Sequence, residues 1–213
     1  MKAVIFDFDG TVADTLPLCI ASFRKAIEPL AGRSLTDGEI IATFGPSEEG
    51  TINALIPDFY EEGLNSYLRH YEALHSMCAE PFDGMRELLD FLKEQGIIVA
   101  LVTGKGEQSC RLSLAFYGME NLFDWIETGS PHGQRKTEGI REVLGRFGLK
   151  SSETVYVGDA VSDIHSSRAA GVPILSAAWG SYTDIDELGQ HEPDEILHSV
   201  AELRAYLVGR LNP

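Results

Sequence analysis

The feature that most constrains the fold of this chain is a short apolar segment near its N-terminus that ends abruptly in acidic residues. Residues 3–6 read AVIF, a run that is typical of a strand buried on both faces of a parallel sheet. Asp7 and Asp9 follow two positions apart, so an extended backbone points both carboxylates to the same side. Two like charges at the end of a buried strand are costly unless a cation lies between them or one is protonated. The simplest interpretation is a site for a divalent metal.

Two other interpretations account for an Asp-x-Asp-Gly sequence. A calcium loop of the EF-hand type needs glycine at its sixth position and glutamate at its twelfth, but the chain, counted from Asp7, has Val12 and Leu18 there. The sequence therefore excludes that loop. The other interpretation is a simple turn, because Asp and Gly are common in turns. The rest of the chain decides between a turn and a metal site.

The charge of the chain limits its partners. It carries 33 acidic and 17 basic residues, a formal net charge of −16, so we expect neither nucleic acid nor an anionic membrane as a partner. No apolar run approaches the roughly 18 residues of a membrane span, and the first run is too short and acidic for a signal peptide. The three cysteines are far apart and lack metal-ligand spacing, which favours reduced thiols. We expect a cytoplasmic protein, either a monomer or a homodimer.

The pattern of predicted elements changes once along the chain. Residues 15–80 show only helical periodicity. From Pro81 onward, helices alternate with strand candidates at 97–104, 123–129, 154–159 and 172–180. Repeated strand-helix-strand units imply parallel pairing with right-handed crossovers. The sequence therefore predicts the α/β class: a doubly wound parallel sheet with an inserted all-helical segment.

Polar residues follow the predicted strands, where ligands bind in open parallel sheets. Thr103 and Gly104 end the second predicted strand and offer a hydroxyl and backbone N–H groups, which suit a phosphate. Asp159 ends the fourth strand, and Asp163 follows one helical turn later. Their carboxylates can add oxygen ligands for a hard cation such as magnesium. The pattern predicts that a cation and a phosphate bind at one edge of the sheet.

These segments resemble the four motifs of the haloacid dehalogenase superfamily of phosphatases, in the same order and over nearly the whole chain. The matches are DFDGT at 7–11, VTG at 102–104, a lysine before the fourth strand, and VGDAVSD at 157–163. The chain is most similar to phosphoglycolate phosphatase-like members. The resemblance implies a Rossmann-like core, a Mg²⁺-dependent phosphatase and a small phosphorylated metabolite as substrate.

The resemblance also implies roles for the matching residues. Asp7 is expected to be the nucleophile that forms an aspartyl-phosphate, and Asp9 the acid/base that protonates the leaving alcohol and then activates water. Asp7, the main-chain oxygen of Asp9, and Asp159 are expected to hold Mg²⁺, with Asp163 in support. Four residues are expected to contact the substrate and its phosphate: Gly10, Thr103, Gly104 and Lys136.

The chain departs from the family pattern at the third motif. The family usually has lysine followed by proline, whereas the loop here reads SPHGQRKTEGI, with Lys136 followed by Thr137. Lys136 lies just before a predicted helix and at a suitable spacing from Asp159, so it is predicted to be the catalytic lysine. Lys105 and Arg135 are the alternatives, and Lys105 is expected at the outer edge of the site.

The helical segment resembles the small cap of this family. On that basis we predict a helical cap domain at residues 15–81 and an α/β core domain at residues 1–14 and 82–213. The loop at 44–50, which corresponds to the family's specificity loop, contains Glu48 and Glu49, and no lysine or arginine lies between Arg33 and Arg69. A second anionic group on the substrate ordinarily pairs with a cation. A polyol, sugar or amine-bearing phosphomonoester therefore fits this loop at least as well as phosphoglycolate.

Two other functions share the core motifs. A sugar-phosphate mutase similar to β-phosphoglucomutase differs in how slowly its phosphoenzyme meets water. A non-catalytic phosphate-binding or regulatory protein retains the fold, but the intact Asp7, Asp9, Thr103 and Asp159 argue against that function. The sequence therefore favours a phosphoric monoester hydrolase.

Overall fold

The apolar run near the N-terminus forms a central strand of a parallel sheet. In the computed structural model, which describes residues 1–211, strand β1 (Ala3–Phe6) is fully buried. It pairs with β2 (Ile98–Val102) on one side and with β4 (Thr154–Gly158) on the other. Because helices cover both faces of such a sheet, a central strand reads as a continuous apolar run rather than as an alternating one.

The sheet has six strands, all parallel, in the order β3-β2-β1-β4-β5-β6. The remaining strands are β3 (Trp125–Glu127), β5 (Ile174–Ala177) and β6 (Glu195–Leu197). The chain runs from β1 outward to β3 and then returns to β4 on the opposite side of β1. The carboxyl ends of β1 and β4 therefore border the crevice where the strand order reverses, which is the usual ligand position in this architecture. The predicted doubly wound α/β fold is confirmed.

Helices pack on both faces of the sheet and also form a separate cluster. Their bounds are α1 (Leu16–Ala31), α2 (Asp37–Ile41), α3 (Glu48–Leu55), α4 (Tyr60–Ala73), α5 (Met85–Glu94), α6 (Glu107–Tyr117), α7 (Lys136–Phe147), α8 (Val161–Ala170), α9 (Ile185–Gln190) and α10 (Val200–Leu211). Helices α5, α6 and α10 contribute to the core on one face, and α7, α8 and α9 to the core on the other. No helix within residues 1–211 is both long and apolar enough to cross a bilayer.

Helices α1 to α4 bury their apolar side chains mainly against one another. Phe23 of α1 packs on Tyr67 of α4 with ring centroids 4.3 Å apart, and Tyr67 packs on Tyr71 at 5.7 Å. Around them lies an apolar cluster distinct from the two that flank the sheet. The cluster gives the inserted helices a core of their own. The exact division into domains at residues 14 and 82 stays a prediction.

Some elements differ from the sequence prediction. Strands β2 and β3 are shorter than the predicted 97–104 and 123–129, while β6 and helix α9 were not predicted at all. Strand β6 is a three-residue edge strand that begins with the exposed Glu195 and buries only Leu197. A segment of three residues is too short to show the alternation of polar and apolar residues that predicts a strand. It is a strand because it pairs with β5.

Candidate active site

Asp7 lies directly after β1, at the crevice between β1 and β4. Its Oδ1 accepts a hydrogen bond from the N–H of Phe8 (2.7 Å), and its Oδ2 accepts one from Nζ of Lys136 (2.6 Å). Burial raises the pKa of Asp7 to about 6; the ammonium of Lys136 opposes this rise and the carboxylate of Asp163 adds to it. The carboxylate of Asp7 is thus fixed in orientation, and its negative charge is only partly compensated by Lys136.

Asp159 and Asp163 bring two further carboxylates to Asp7. One oxygen from each of the three lies within 4.8 Å of the others, and all three residues are buried. Asp159 follows β4, and its Oδ1 accepts a hydrogen bond from the hydroxyl of Thr11 (3.1 Å). Burial, together with the charges of Asp7 and Asp163, raises the pKa of Asp159 well above its usual value. The cluster therefore carries more negative charge than the protein alone neutralises.

This donor set fits a hard divalent cation such as Mg²⁺. Carboxylate oxygens are the ligands that Mg²⁺ prefers, and the raised pKa values of Asp7 and Asp159 mark where positive charge is missing. Asp163 differs from these two because it is fully buried, with Oδ1 accepting a hydrogen bond from Lys136 (2.6 Å) and Oδ2 from the N–H of Ala160 (3.0 Å), whereas Asp7 and Asp159 line an open cavity. Asp7 and Asp159 are therefore better placed than Asp163 to contact a bound cation directly.

Gly10 makes room for the Asp159 carboxylate. Its φ is +80°, and a Cβ at this position would lie 2.1 Å from Oδ2 of Asp159. Its N–H donates to the carbonyl of Ala13 (2.9 Å) and so closes the turn after β1. The geometry gives Gly10 a part in the site through its missing side chain, and its predicted contact with phosphate stays a prediction.

Asp9 is held by a second buried lysine. Nζ of Lys105 lies 3.0 Å from Oδ1 of Asp9, and the Lys105 side chain is only 1% exposed. The hydroxyl of Thr15 also donates to Oδ1 of Asp9. Burial favours the neutral form of Lys105, but the Asp9 carboxylate, together with Cys19, Tyr71 and Tyr67, outweighs it and raises the pKa of Lys105 well above its usual value. The expected position of Lys105 at the outer edge of the site is wrong, since its ammonium lies against Cys19 of α1 and the ring of Tyr71 of α4.

Lys136 begins helix α7 and bridges two of the clustered carboxylates. Its Nζ lies 2.6 Å from both Asp7 and Asp163. Burial acts to lower the pKa of Lys136, but the two carboxylates outweigh it and raise that pKa above its usual value. Arg135, one of the alternatives for the site lysine, points elsewhere and pairs with Glu127 (3.1 Å). The structure thus brings Lys136 to Asp7, and brings Lys105 to Asp9.

Thr103 and Gly104 follow β2 and lie beside Lys136. Thr103 is buried, and its hydroxyl oxygen accepts a hydrogen bond from the N–H of Lys105 (3.2 Å). A Cβ on Gly104 would lie 3.7 Å from Cε of Lys136. The end of β2 and the start of α7 therefore place a hydroxyl, a glycine backbone and an ammonium next to the carboxylate cluster, as a phosphoryl group requires.

A cavity of about 460 Å³ connects this site with the helical cluster. From the sheet side it is lined by residues that include Asp7, Asp9, Thr103, Lys105, Lys136 and Asp159. From the helical side it is lined by residues that include Cys19, Phe23, Phe44, Glu48 and Tyr67. A cavity of this volume suits a small metabolite.

The roles of two residues in the site, Tyr156 and Thr15, were not predicted from the sequence. The hydroxyl of Tyr156, in β4, donates to the carbonyl of Val102 (2.8 Å) and lies 3.0 Å from Oδ1 of Asp163. Nothing in the segment TVYVG signals this contact, since a tyrosine in a buried strand reads as core. Thr15 occupies the cap position before α1, but its side chain makes no capping hydrogen bond and donates to Asp9 instead.

Comparisons with known proteins agree with this geometry. Residues 4–177 match the family model of the haloacid dehalogenase-like hydrolases. The chain is 30% identical over 209 residues to pyrophosphatase PpaX of Halalkalibacterium halodurans, with 95% of each chain covered. It is 33% identical over 194 residues to phosphoglycolate phosphatase of Xylella fastidiosa, with 84% of this chain and 81% of that protein covered.

A solved structure supports the same assignment at the level of the fold. A predicted phosphoglycolate phosphatase from Haemophilus somnus superposes with a TM-score of 0.81 at 21% identity, and the match covers 97% of this chain and 98% of that one. The family match spans most of the chain and includes both β1 and β4. The chain therefore belongs to the haloacid dehalogenase-like hydrolases.

Proposed function

We propose that the chain is a Mg²⁺-dependent phosphatase that hydrolyses a small phosphomonoester through an aspartyl-phosphate on Asp7. The observation that carries this proposal is the buried cluster of Asp7, Asp159 and Asp163, with Nζ of Lys136 at 2.6 Å from Asp7. The cluster opens into a cavity of about 460 Å³, and a family of hydrolases shares its motifs. The names of the relatives, pyrophosphatase and phosphoglycolate phosphatase, are in keeping with phosphoryl transfer.

The reaction proceeds in two steps at phosphorus. A carboxylate oxygen of Asp7 attacks the phosphorus atom, the bond to the leaving oxygen breaks, and Asp9 donates a proton to that oxygen. A water molecule then attacks phosphorus, Asp9 accepts its proton, and the bond between phosphorus and Asp7 breaks. The net result is phosphomonoester plus water giving alcohol plus inorganic phosphate, with both aspartates restored.

The surrounding residues supply orientation and positive charge. Mg²⁺, held by Asp7, Asp159 and the main-chain oxygen of Asp9, would offset the charge of the phosphoryl oxygens. Lys136 fixes Asp7 and adds a second positive charge, while Thr103 and Gly104 orient the phosphoryl group. In the same proposal, residues 15–81 act as a cap that closes over the core and limits the access of water.

The proposal is tested by comparing Asp7→Asn with the native protein in p-nitrophenyl phosphate hydrolysis with MgCl₂. We expect a loss of at least about 1000-fold in kcat, since the nucleophile is removed. Asp90→Asn, an exposed aspartate on α5, is the matched control and should retain the native rate. Mass spectrometry after acid quench should detect one added phosphoryl group on the native chain and none on Asp7→Asn.

Two outcomes would contradict this function. Equal rates for Asp7→Asn and the native protein would remove Asp7 as nucleophile. No hydrolysis by the native protein, across p-nitrophenyl phosphate and a panel of phosphoesters, would favour a binding role. Release of inorganic phosphate in step with loss of substrate also separates hydrolysis from a mutase, which returns the phosphoryl group to a sugar.

A further inference from the structure

We propose that the leaving group of the natural substrate carries a hydrogen-bond donor and no negative charge, and that Glu48 of α3 recognises this donor. The inference rests on the proposed phosphatase function and narrows it to a substrate class: hydroxyl-bearing or amine-bearing phosphomonoesters. It points away from phosphoglycolate and pyrophosphate, which both carry a second anionic group.

Glu48 is a buried glutamate, and only one of its two carboxylate oxygens accepts a hydrogen bond from the backbone. Its Oε2 accepts a hydrogen bond from the N–H of Gly106 (2.6 Å), which fixes the side chain at the start of α6. Oε1 is itself buried, and throughout residues 1–211 no donor meets hydrogen-bond geometry to it; the hydroxyl of Ser109 is the polar side chain near this carboxylate and acts to lower its pKa. The residue as a whole is 5% exposed and lines the cavity. A buried polar atom without a partner is unfavourable, and a donor on a bound molecule would satisfy it.

Glu48 lies close to the expected position of the phosphoryl group. Its partner Gly106 is two residues beyond Gly104, which together with Thr103 is proposed to orient the phosphoryl group. Glu48 itself comes from the helical side of the cavity. A group a few bonds beyond the phosphoester oxygen is therefore within the part of the cavity that Glu48 borders.

The two lysines of the cavity are already engaged. Nζ of Lys105 lies 3.0 Å from Asp9, 3.5 Å from Sγ of Cys19 and 4.4 Å from the centre of the Tyr71 ring. Lys136 bridges Asp7 and Asp163. Of the described residues that line the cavity, these lysines are the only ones with cationic side chains. No free cation is left there to receive a second anionic group of the substrate.

The remaining charges near the leaving group are acidic. Burial raises the pKa of Glu48, with the ammonium of Lys105 opposing the rise and the carboxylate of Glu49 adding to it. Asp184 and Glu187, at the start of α9, also line the cavity. A carboxylate or second phosphoryl group entering this region would meet like charges, whereas a hydroxyl or ammonium group would find an acceptor.

The test compares four substrates of similar size by kcat/KM in the presence of MgCl₂. They are 2-hydroxyethyl phosphate, O-phosphoethanolamine, ethyl phosphate and 2-phosphoglycolate. We expect the first two, which carry a donor and no second anion, to exceed both of the others by at least about tenfold. Pyrophosphate is added as a fifth substrate and should be as poor as phosphoglycolate. p-Nitrophenyl phosphate serves as the reference, because its activated leaving group needs no recognition.

Glu48→Gln tests the assignment of the residue. Glutamine keeps the size of the side chain and an oxygen for the N–H of Gly106, but it loses the negative charge. The ratio of kcat/KM for O-phosphoethanolamine to that for 2-phosphoglycolate should therefore fall by about tenfold or more. Glu62→Gln makes the same change of charge at an exposed residue of α4 outside the cavity lining, and it should leave that ratio as in the native protein.

The outcomes separate a failure of this inference from a failure of the proposed phosphatase function. If p-nitrophenyl phosphate is hydrolysed but phosphoglycolate or pyrophosphate is preferred, or ethyl phosphate equals the donor substrates, the inference is overturned while the phosphatase stands. An equal loss for every substrate in Glu48→Gln, or an unchanged ratio, would show a merely structural glutamate and also overturn it. If nothing is hydrolysed, the proposed function fails and the inference falls with it.

Discussion

At the scale of single residues, the site depends on missing side chains as well as on charged ones. The carboxylate of Asp159 occupies the space where a Cβ of residue 10 would lie. Because φ at Gly10 is +80°, glycine is also the residue that adopts this backbone conformation without strain. Gly10 therefore meets two requirements at once, one conformational and one steric, and they can be separated by experiment.

We predict that Gly10→Ala destabilises the protein and removes most of its activity, because the new methyl group would displace Asp159. Gly96→Ala is the matched control, since Gly96 has a φ of +69° and no atom within 4 Å of the added Cβ. The control should lose about 1 kcal/mol of unfolding free energy from backbone strain alone and keep the native kcat. Urea unfolding and phosphatase assays measure the two effects. Equal losses in both variants would show that strain, and not contact with Asp159, matters at Gly10.

At the scale of elements, helix α7 brings Lys136 to the site because it packs closely on the sheet. Gly139, one turn along this helix from Lys136, permits the approach: a Cβ there would lie 2.8 Å from Cγ1 of Val102 and 3.2 Å from Cβ of Glu127. Gly145, later in the same helix, faces open space. Two glycines of one helix thus differ only in whether the sheet lies against them.

We predict opposite effects for alanine at these two positions. Gly145→Ala should stabilise the protein by about 0.5–1 kcal/mol, because alanine is the better helix former and meets no neighbour. Gly139→Ala should instead destabilise it and lower kcat, because α7 must move off the sheet and carry Lys136 away from Asp7. Urea unfolding and kcat for p-nitrophenyl phosphate report the two quantities. A stabilised and fully active Gly139→Ala would contradict the close packing of α7.

Much of this architecture could be predicted from the sequence because local and long-range signals agree. The buried strands appear as apolar runs, and the residues at their ends, such as Asp7 and Asp159, are set by strand topology. The pairing of Lys105 with Asp9 could not be predicted, since it depends on how helices α1 and α4 cover Lys105. Strand β6 was not predicted for a similar reason, because its extended conformation depends on pairing with β5 rather than on its own residues.

At the scale of the whole molecule, the carboxylate cluster exists only in the folded chain. Asp7 follows β1, while Asp159 and Asp163 lie about 150 residues later, at the end of β4 and the start of α8. Folding therefore has to bring like charges together at a buried point, which opposes folding. Burial, and after it the charge of neighbouring carboxylates, raises the pKa of both Asp7 and Asp159, which shows that the charged forms are disfavoured in the fold. A cation that binds the cluster binds the native state alone and should stabilise the entire fold.

We predict that MgCl₂ raises the Tm of the native protein, whereas Asp159→Asn is at least as stable as the native protein without the metal and responds much less to it. At a free Mg²⁺ concentration a hundred times Kd, linkage gives about 2.7 kcal/mol, or roughly 5–10 °C for a chain of this size. Asparagine removes one of the mutually repelling charges and one ligand together, so both effects have the same cause. Thermal unfolding in NaCl of matched ionic strength controls for screening, and Asp90→Asn controls for the loss of a surface charge. An equal Mg²⁺-dependent rise in Tm for Asp159→Asn and the native protein would place the cation elsewhere and separate the cluster from metal binding.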